Sequence, residues 1–160
     1  EGLRIAIVGD VIHSRVARSN IKAMTKMGAQ VTVVGPPTLL PASLESWGVD
    51  VSFNLDEVLS KLDVIYLLRV QKERQSEQLF PSTREYSGFW GLDRRRVDLM
   101  KPEALIMHPG PMNRGVEIAS DMADLQRSII TDQVTNGISV RMSLLYLMLG
   151  QPEAQVTADE

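Results

Sequence analysis

Two arginines follow apolar runs at places where the chain could bind an anion. Arg69 ends the run DVIYLL at residues 63–68, which passes into a charged segment without a glycine, a proline or another turn residue. Arg15 comes shortly after another apolar run, residues 3–8, and the turn at Gly9. A guanidinium binds a carboxylate through two parallel hydrogen bonds, so two clustered arginines suit a dicarboxylate or a ligand with a carboxylate and a phosphate. Taken alone, each arginine has the alternative role of a solvated side chain beside a strand.

A third segment that could do chemistry is HPGP at residues 108–111, directly behind the apolar run 104–107. Two prolines bracket Gly110, and this arrangement can turn the backbone carbonyls toward a ligand. We predict a cis peptide bond between Gly110 and Pro111 on this ground, although only about 5 to 6% of such bonds in folded proteins are cis. His13 and His108 are the only histidines, and neither has partners at the spacing of metal ligands, so no metal site is predicted.

The elements that must position these residues alternate between short apolar runs and amphipathic segments. Strands are predicted at residues 3–8, 31–34, 49–53, 63–68 and 104–107. Because the strands are apolar on both faces, they indicate an α/β protein with a Rossmann-like, doubly wound parallel sheet of about five strands and helices on both faces. In the strand order 3-2-1-4-5, the strands before Arg15 and Arg69 are neighbours, and both arginines meet the HPGP segment at one edge of the sheet.

The predicted helices have different environments. One helix follows Ser14 as its cap, presents an apolar face and ends at Gly28, and a short helix is predicted at residues 41–47. Asn54 and Glu57 have the spacing of a helix cap with its reciprocal partner. The final helix, predicted at residues 138–149, is apolar around most of its circumference and is expected to pack deeply or against another domain.

Two further charged regions are predicted to have other roles, one as a solvated surface and one as a lid. Arg94, Arg95 and Arg96 are predicted to form a solvated helix face. Residues 72–91 are predicted to form a long connection of the kind that often serves as a lid.

Composition bounds the function. The chain has 160 residues, 44% of them hydrophobic, which suffices for one core and one domain. A net charge of -3 argues against binding to nucleic acid or to a membrane surface, and the absence of cysteine fits a cytoplasmic setting. A lone Gly9 after the first strand lacks the glycine spacing of dinucleotide-binding turns. The first residue is Glu1 rather than Met, which suggests a fragment or a processed product.

Four segments resemble the hallmark stretches of aspartate carbamoyltransferase catalytic chains. They are GDVIHSRV at residues 9–16, RVQKER at 69–74, HPGPMNRGVEI at 108–118 and NGISVRMSLL at 136–145, in the same order as in that family. The resemblance covers nearly the whole chain and is to the carboxyl-terminal half of the enzyme. It implies that residues 1–160 form an aspartate-binding domain that serves pyrimidine biosynthesis.

The resemblance also implies the roles of individual residues. Arg15 and Arg69 would bind the carboxylates of L-aspartate, and Gln71 would orient the substrate. The backbone around Pro109 and Gly110 would accept hydrogen bonds from the amino group of aspartate and from the carbamoyl group. No catalytic residue is assigned in this half, and neither a cofactor nor a metal is expected.

The family binds carbamoyl phosphate through motifs of its amino-terminal half, which this sequence does not contain. The resemblance thus implies an amino-terminal carbamoyl-phosphate domain as partner, with Arg141 at the interdomain contact, and a complete enzyme based on a homotrimer. The isolated chain is expected to be inactive. Within the half that is present, His13 stands where the family frequently has tyrosine and Ser14 where it usually has glycine.

Two alternatives stay open. One is a non-catalytic amino-acid-binding or assembly module. The other, disfavoured, is half of an ornithine carbamoyltransferase, whose members usually carry cysteine where this chain has Pro109 and lack RVQKER. Two clustered arginines would also repel the cationic side chain of ornithine.

Overall fold

A five-stranded sheet forms the centre of the protein in a computed structural model that describes residues 2–70 and 82–150. Its strands are β1 (Arg4–Val8), β2 (Gln30–Val34), β3 (Asp50–Ser52), β4 (Val64–Leu67) and β5 (Leu105–Met107). All neighbouring strands are parallel, in the order β3-β2-β1-β4-β5. This order confirms the predicted α/β fold, and each strand lies within one residue of its predicted bounds.

Alternate strand residues fill two separate apolar clusters, one on each face of the sheet. Ala6 and Val8 of β1 belong to one cluster, whereas Ile7 between them belongs to the other. In β4, Ile65 and Leu67 join the first cluster and Tyr66 joins the second. A strand that is buried on both faces needs apolar residues at successive positions, which is why these runs were readable from the sequence.

Five α-helices accompany the strands in the part of the chain that the structure describes. They are α1 (Arg15–Lys26), α2 (Asp56–Leu59), α3 (Thr83–Trp90), α4 (Arg94–Leu99) and α5 (Ile130–Leu149). Within the short helix predicted at residues 41–47, Leu44–Trp47 forms a 3-10 turn rather than an α-helix, and another 3-10 turn, Pro37–Leu39, precedes it. Asn54 accepts a hydrogen bond from the Asp56 amide and donates from its side chain to Glu57, but α2 is capped at Leu55, so the predicted cap with its reciprocal partner forms only in part.

The prediction of a long connection at residues 72–91 is wrong for its second half, where α3 lies. Ser82 caps this helix by accepting a hydrogen bond from the Glu85 amide at 3.1 Å. Tyr86 is completely buried and anchors the helix, a tertiary contact that outweighs the weak apolar periodicity of the segment. Residues 71–81 of the predicted connection lie outside the described residues.

Arg96 departs from the predicted solvated face of α4, whereas Arg94 and Arg95 are exposed as expected. Its buried guanidinium donates to the carbonyl oxygen of Gly91 at 2.6 Å and to further carbonyls at the end of α3. Its Nε donates to Asp56 at 2.7 Å. The last carbonyls of a helix lack intrahelical donors, so Arg96 is a structural cap for α3. A hydrogen bond from Arg95, together with Arg96, holds the pKa of Asp56 below its usual range.

The structure divides at residue 130 into two compact units, and α5 makes up nearly all of the described second unit. The helix begins eight residues before its predicted start. The prediction missed the first two turns because they are mostly polar and carry no apolar pattern. Its large apolar side chains are exposed, from Val134 to Leu149. Arg141 donates from Nε to the carbonyl of Gly137 at 3.0 Å. Among the described helices, α5 included, none has the length and apolarity that a membrane span requires.

Candidate functional site

A cavity of about 310 Å³ lies at the carboxyl edge of the sheet, beyond the ends of β1, β4 and β5. It is lined by Ser14, Arg15, Val16, Arg69, Pro109, Gly110 and Pro111. Four of the predicted site residues therefore line one cavity. The strands that precede them are adjacent in the sheet, and the carboxyl ends of parallel strands meet at the same edge.

The two remaining predicted site residues are not placed at this cavity. Gln71 lies outside the described residues. Arg141 belongs to the second unit and is described only within α5. Their roles stay predictions.

Arg15 is the first residue of α1, and the helix start fixes its position. Ser14 is buried and accepts a hydrogen bond from the Ala17 amide at 3.1 Å, which confirms the predicted cap. Arg15 is exposed and makes no hydrogen bond or ion pair with the described residues. The amino-terminal end of α1 adds partial positive charge at the same place. This wall of the cavity is thus suited to a carboxylate.

Arg69 supplies the second guanidinium and is half-buried, two residues beyond the end of β4. The preceding residue, Leu68, is completely buried and donates its amide to the carbonyl of Val8 at 2.8 Å. The main chain that carries Arg69 is thereby held against β1. Among the described residues the lining contains two cations and no acidic side chain, so the cavity favours an anion.

Another part of the cavity lining consists of Pro109, Gly110 and Pro111, which follow His108. The Gly110–Pro111 peptide bond is cis, which confirms the prediction. Gly110 has a φ of 62°, a left-handed conformation that glycine adopts without steric cost. Its amide donates to Nδ1 of the buried His108 at 2.9 Å. The side chain of His108, the first residue of the turn, therefore stabilises the backbone of the same turn.

Behind the cavity lies a buried polar cluster that sequence reasoning missed. It consists of Asp10, Tyr86, His108 and Glu117, each at most 1% exposed. Burial raises the pKa of the Tyr86 phenol, and the nearby carboxylates of Glu117 and Asp10 raise it further. The only sequence signal was Glu117, an acidic residue between Val116 and Ile118 in an otherwise apolar stretch.

Gly9 has a structural reason that is unrelated to dinucleotide binding. Its φ is 124°, and a Cβ atom at this position would lie 2.8 Å from the hydroxyl oxygen of Tyr86. The glycine leaves room for a buried phenol rather than for a pyrophosphate. The structure thus gives this glycine a packing role.

Two other kinds of site were considered among the described residues: a second cavity and a metal site. A larger cavity of about 630 Å³ is lined by residues of the β3 side of the sheet and of α2, including Arg4, Asp50, Glu57 and Lys61. Its charges are mixed, and it lies away from the carboxyl ends of β1 and β4, where ligands bind in open α/β sheets. In residues 2–70 and 82–150 no group of three metal-ligating side chains could hold a metal ion.

Comparisons with known proteins agree with this geometry. The family model for the aspartate/ornithine carbamoyltransferase Asp/Orn binding domain matches residues 1–148. The aspartate carbamoyltransferase catalytic subunit of Thermobifida fusca is 59% identical over 150 residues, which are 94% of this chain and 48% of the relative. The corresponding subunit of Halothermothrix orenii is 56% identical over 151 residues, again 94% of this chain and 48% of the relative.

Solved structures show the same fold. Aspartate transcarbamoylase from Trypanosoma cruzi in complex with phosphate has a TM-score of 0.78 at 28% identity, over 91% of this chain and 50% of that one. Ornithine carbamoyltransferase from Pyrococcus furiosus has a TM-score of 0.81 at 24% identity, over 96% of this chain and 51% of that one. The second likeness concerns the fold alone.

The chain spans about half the length of the curated relatives it matches. The part that it spans carries the cavity with the two arginines and the HPGP turn. By the extent of the family match, this chain belongs to the aspartate/ornithine carbamoyltransferase family and corresponds to its Asp/Orn binding domain.

Proposed function

We propose that this chain is the aspartate-binding half of an aspartate carbamoyltransferase that serves de novo pyrimidine biosynthesis. The observation that carries the proposal is the cavity in which Arg15 and Arg69 face the backbone of Pro109 and Gly110. Two guanidinium groups in one cavity match the two carboxylates of L-aspartate.

Aspartate is favoured over ornithine by charge. The described lining of the cavity has no carboxylate that could bind an ammonium group. Asp10, the acidic residue closest in sequence to Arg15 on that loop, is buried and accepts hydrogen bonds from the amide and the ring of His13. The curated relatives named above are aspartate enzymes, which supports the same choice.

In the proposed reaction the amino nitrogen of aspartate attacks the carbamoyl carbon of carbamoyl phosphate. A carbon–nitrogen bond forms, the bond from carbon to the phosphate oxygen breaks, phosphate leaves with the electron pair, and the departing phosphate takes the proton that the amine loses. Arg15 and Arg69 hold the carboxylates. The carbonyls of Pro109 and Gly110 accept hydrogen bonds from the amino and carbamoyl groups and so direct the nitrogen toward the carbon, while Gln71 orients the substrate. Catalysis by this half is therefore positioning and charge complementarity.

The proposal includes a partner that binds carbamoyl phosphate. An amino-terminal domain would pack on the apolar side chains of α5, near Arg141, and would supply the phosphate end of the site. The exposed apolar residues of α5 support such a contact, because surfaces of this kind usually mark an interface. The complete enzyme is proposed to be based on a homotrimer, and its cytoplasmic location stays a prediction.

The proposal is tested by joining this chain to the amino-terminal half of the Thermobifida fusca subunit and measuring formation of carbamoyl-aspartate. We expect turnover by this chimera with L-aspartate, none with L-ornithine, and none by the isolated chain. A folded, assembled chimera without transfer would favour the non-catalytic module. Robust turnover by the isolated chain would show that the carbamoyl-phosphate site is misplaced in the proposal.

Arg69→Ala in the chimera tests the anion site itself. Loss of a charge-assisted bidentate pair should cost about 2 to 5 kcal/mol of transition-state stabilisation, measured from kcat/KM at low aspartate. The matched control is Arg94→Ala, which removes an exposed guanidinium from α4 and should leave kcat/KM unchanged. Wild-type turnover of the Arg69 variant at low aspartate would contradict the assignment of this residue.

A further inference from the structure

The turn that forms one wall of the cavity is held from behind by a carboxylate. Glu117 is 1% exposed, and its Oε1 lies 3.3 Å from Nε2 of His108. The same oxygen accepts a hydrogen bond from the backbone amide of Asn113. One carboxylate atom thus contacts both ends of the segment that contains Pro109, Gly110 and the cis bond.

The hydrogen bonds define the tautomer of His108. The Gly110 amide is a donor, so the Nδ1 atom that faces it at 2.9 Å must be an unprotonated acceptor. The ring proton of the neutral imidazole then sits on Nε2, which faces Glu117. The order Glu117, His108, Gly110 therefore joins a 3.3 Å contact, which does not have hydrogen-bond geometry, to the hydrogen bond that the ring accepts at the cavity wall.

A second branch connects Glu117 to the main chain after β4, which carries Arg69. Asn113, whose amide donates to Glu117, also donates from its side chain to the carbonyl of Val70 at 3.1 Å. Val70 is buried and directly follows Arg69. Glu117 thereby links the HPGP turn to the main chain beside Arg69, which are two separate walls of the cavity.

Glu117 itself is fixed by the core. Its carbonyl accepts a hydrogen bond from the Leu92 amide at 2.9 Å, and the carbonyl of Leu92 accepts one from Ala119 at 2.9 Å. Leu92 and Ile118 are completely buried. The second carboxylate oxygen, Oε2, accepts no hydrogen bond from the described residues. A buried carboxylate with one unsatisfied oxygen costs stability, which argues that the residue does more than fill the core.

We propose that Glu117, acting through His108 and Asn113, is a positioning residue that sets the HPGP backbone relative to Arg69. The inference rests on the proposed function, because it assigns a purpose to the carbonyls of Pro109 and Gly110. Both branches start at Glu117, but each positions a different part of the substrate. The branch through His108 controls the reacting amino and carbamoyl groups, and the branch through Asn113 controls a carboxylate of aspartate.

Kinetics of the chimera separate these branches. Glu117→Met keeps the side-chain length but removes the acceptor, so kcat should fall about 10- to 100-fold while KM for aspartate changes less than about threefold. Glu117→Gln retains an acceptor oxygen and should recover most of the lost kcat. Asn113→Ala keeps the amide that donates to Glu117 but loses the bond to Val70, so it should raise KM for aspartate more than it lowers kcat.

The matched control is Asp124→Asn, which weakens the exposed ion pair of Arg114 and Asp124 in the same part of the chain. It should leave kcat and KM unchanged. Wild-type kcat in a folded Glu117→Met chimera, or equal losses in the Met and Gln variants, would overturn the positioning role.

Two measurements on the 160-residue chain do not depend on turnover. Nitrogen chemical shifts of the histidine ring should show His108 with its proton on Nε2, and a proton on Nδ1 would overturn the proposed order. Amide hydrogen exchange at Gly110 should become at least about tenfold faster in Glu117→Met and unchanged in Asp124→Asn. Should Glu117→Met fail to fold, the Asn113→Ala arm decides: an unchanged KM in that chimera would contradict the link to Arg69. An inactive wild-type chimera would contradict the proposed function, while the exchange data still test the positioning.

Discussion

Two loops at the carboxyl edge of the sheet each contain a pair of histidine and carboxylate, but the pairs differ in span and in burial. After β1, His13 Nδ1 lies 2.8 Å from Asp10, three residues away, and the His13 side chain is 22% exposed. After β5, His108 Nε2 lies 3.3 Å from Glu117, nine residues away, and neither side chain exceeds 1% exposure. The first pair closes its own turn, whereas the second holds a longer segment against the core.

The difference shows how one edge of a sheet combines local and distant constraints. Asp10 also accepts the amide of His13, a hydrogen bond within the four residues that lead into α1. Glu117 reaches His108 and Asn113, and through Asn113 the chain after β4. Tyr86 is buried near both carboxylates and belongs to neither loop. The position of Arg15 thus depends on a local turn and cap, while the position of the HPGP turn depends on the packed core.

The largest effect should come from breaking the buried pair. His108→Ala leaves a cavity in the core and removes the acceptor of the Gly110 amide, which should lower the free energy of unfolding by about 3 to 5 kcal/mol. His13→Ala removes a partly exposed ring that water can replace, so the loss should be about 1 kcal/mol. Urea unfolding followed by circular dichroism measures both. Equal losses in the two variants would remove the distinction between the loops.

The contrast also explains what the sequence could reveal. All five strands and the cavity with Arg15, Arg69 and the HPGP turn were predictable, because the strands carry short apolar runs, most continuous in the central β1 and β4, and their order determines which ends meet. Local caps such as Ser14 were equally readable. Arg96 and Glu117 were not, since each takes its role from groups that the fold brings close: the end of α3 for Arg96, and the ring of His108 for Glu117.

The start of α5 and all of α3 were not predicted, for a related reason. Residues 130–137 are mostly polar, and α3 contains one buried residue, Tyr86. Periodicity detects a helix only when one face is repeatedly apolar. A helix that is anchored by a single aromatic side chain leaves too little pattern to predict.

A second prediction tests the close contact between Gly9, which follows β1, and the hydroxyl of Tyr86. Gly9→Ala places a methyl group 2.8 Å from the Tyr86 hydroxyl at a φ of 124°, and should cost about 2 kcal/mol of unfolding free energy. Adding Tyr86→Phe removes the clashing oxygen and should recover at least about 0.5 kcal/mol relative to additivity. Gly48→Ala is the control for backbone strain alone, because φ is 70° there and no atom lies within 4 Å of the added carbon. Strict additivity of the Gly9 and Tyr86 changes would argue against the contact.

Alkaline pH should reveal the same phenol. The pKa of Tyr86 is raised in the folded chain by burial, then by Glu117 and Asp10, so the unfolded chain releases this proton first. The stabilising contribution is fully present below the unfolded pKa of about 10, and above it the free energy of unfolding should fall by about 1.4 kcal/mol per pH unit. Tyr86→Phe should remove this part of the slope, whereas Tyr146→Phe, which changes an exposed phenol, should not. Parallel slopes for the wild type and Tyr86→Phe would be the contrary result.

The smallest effect concerns the part of the cavity at the start of α1, which local hydrogen bonds hold in place. Ser14→Ala removes the hydroxyl that accepts the Ala17 amide, and because Ser14 is buried, water does not easily replace it. The loss of unfolding free energy should be about 1 kcal/mol, whereas Ser14→Gly should cost only a few tenths of a kcal/mol. Amide exchange of Ala17 should rise in Ser14→Ala while that of Gly110 stays unchanged, because no bond of the described network joins Ser14 to the HPGP turn. A matching rise at Gly110 would mean that the two loops are coupled, and that the local and the core-anchored walls of the cavity move as one.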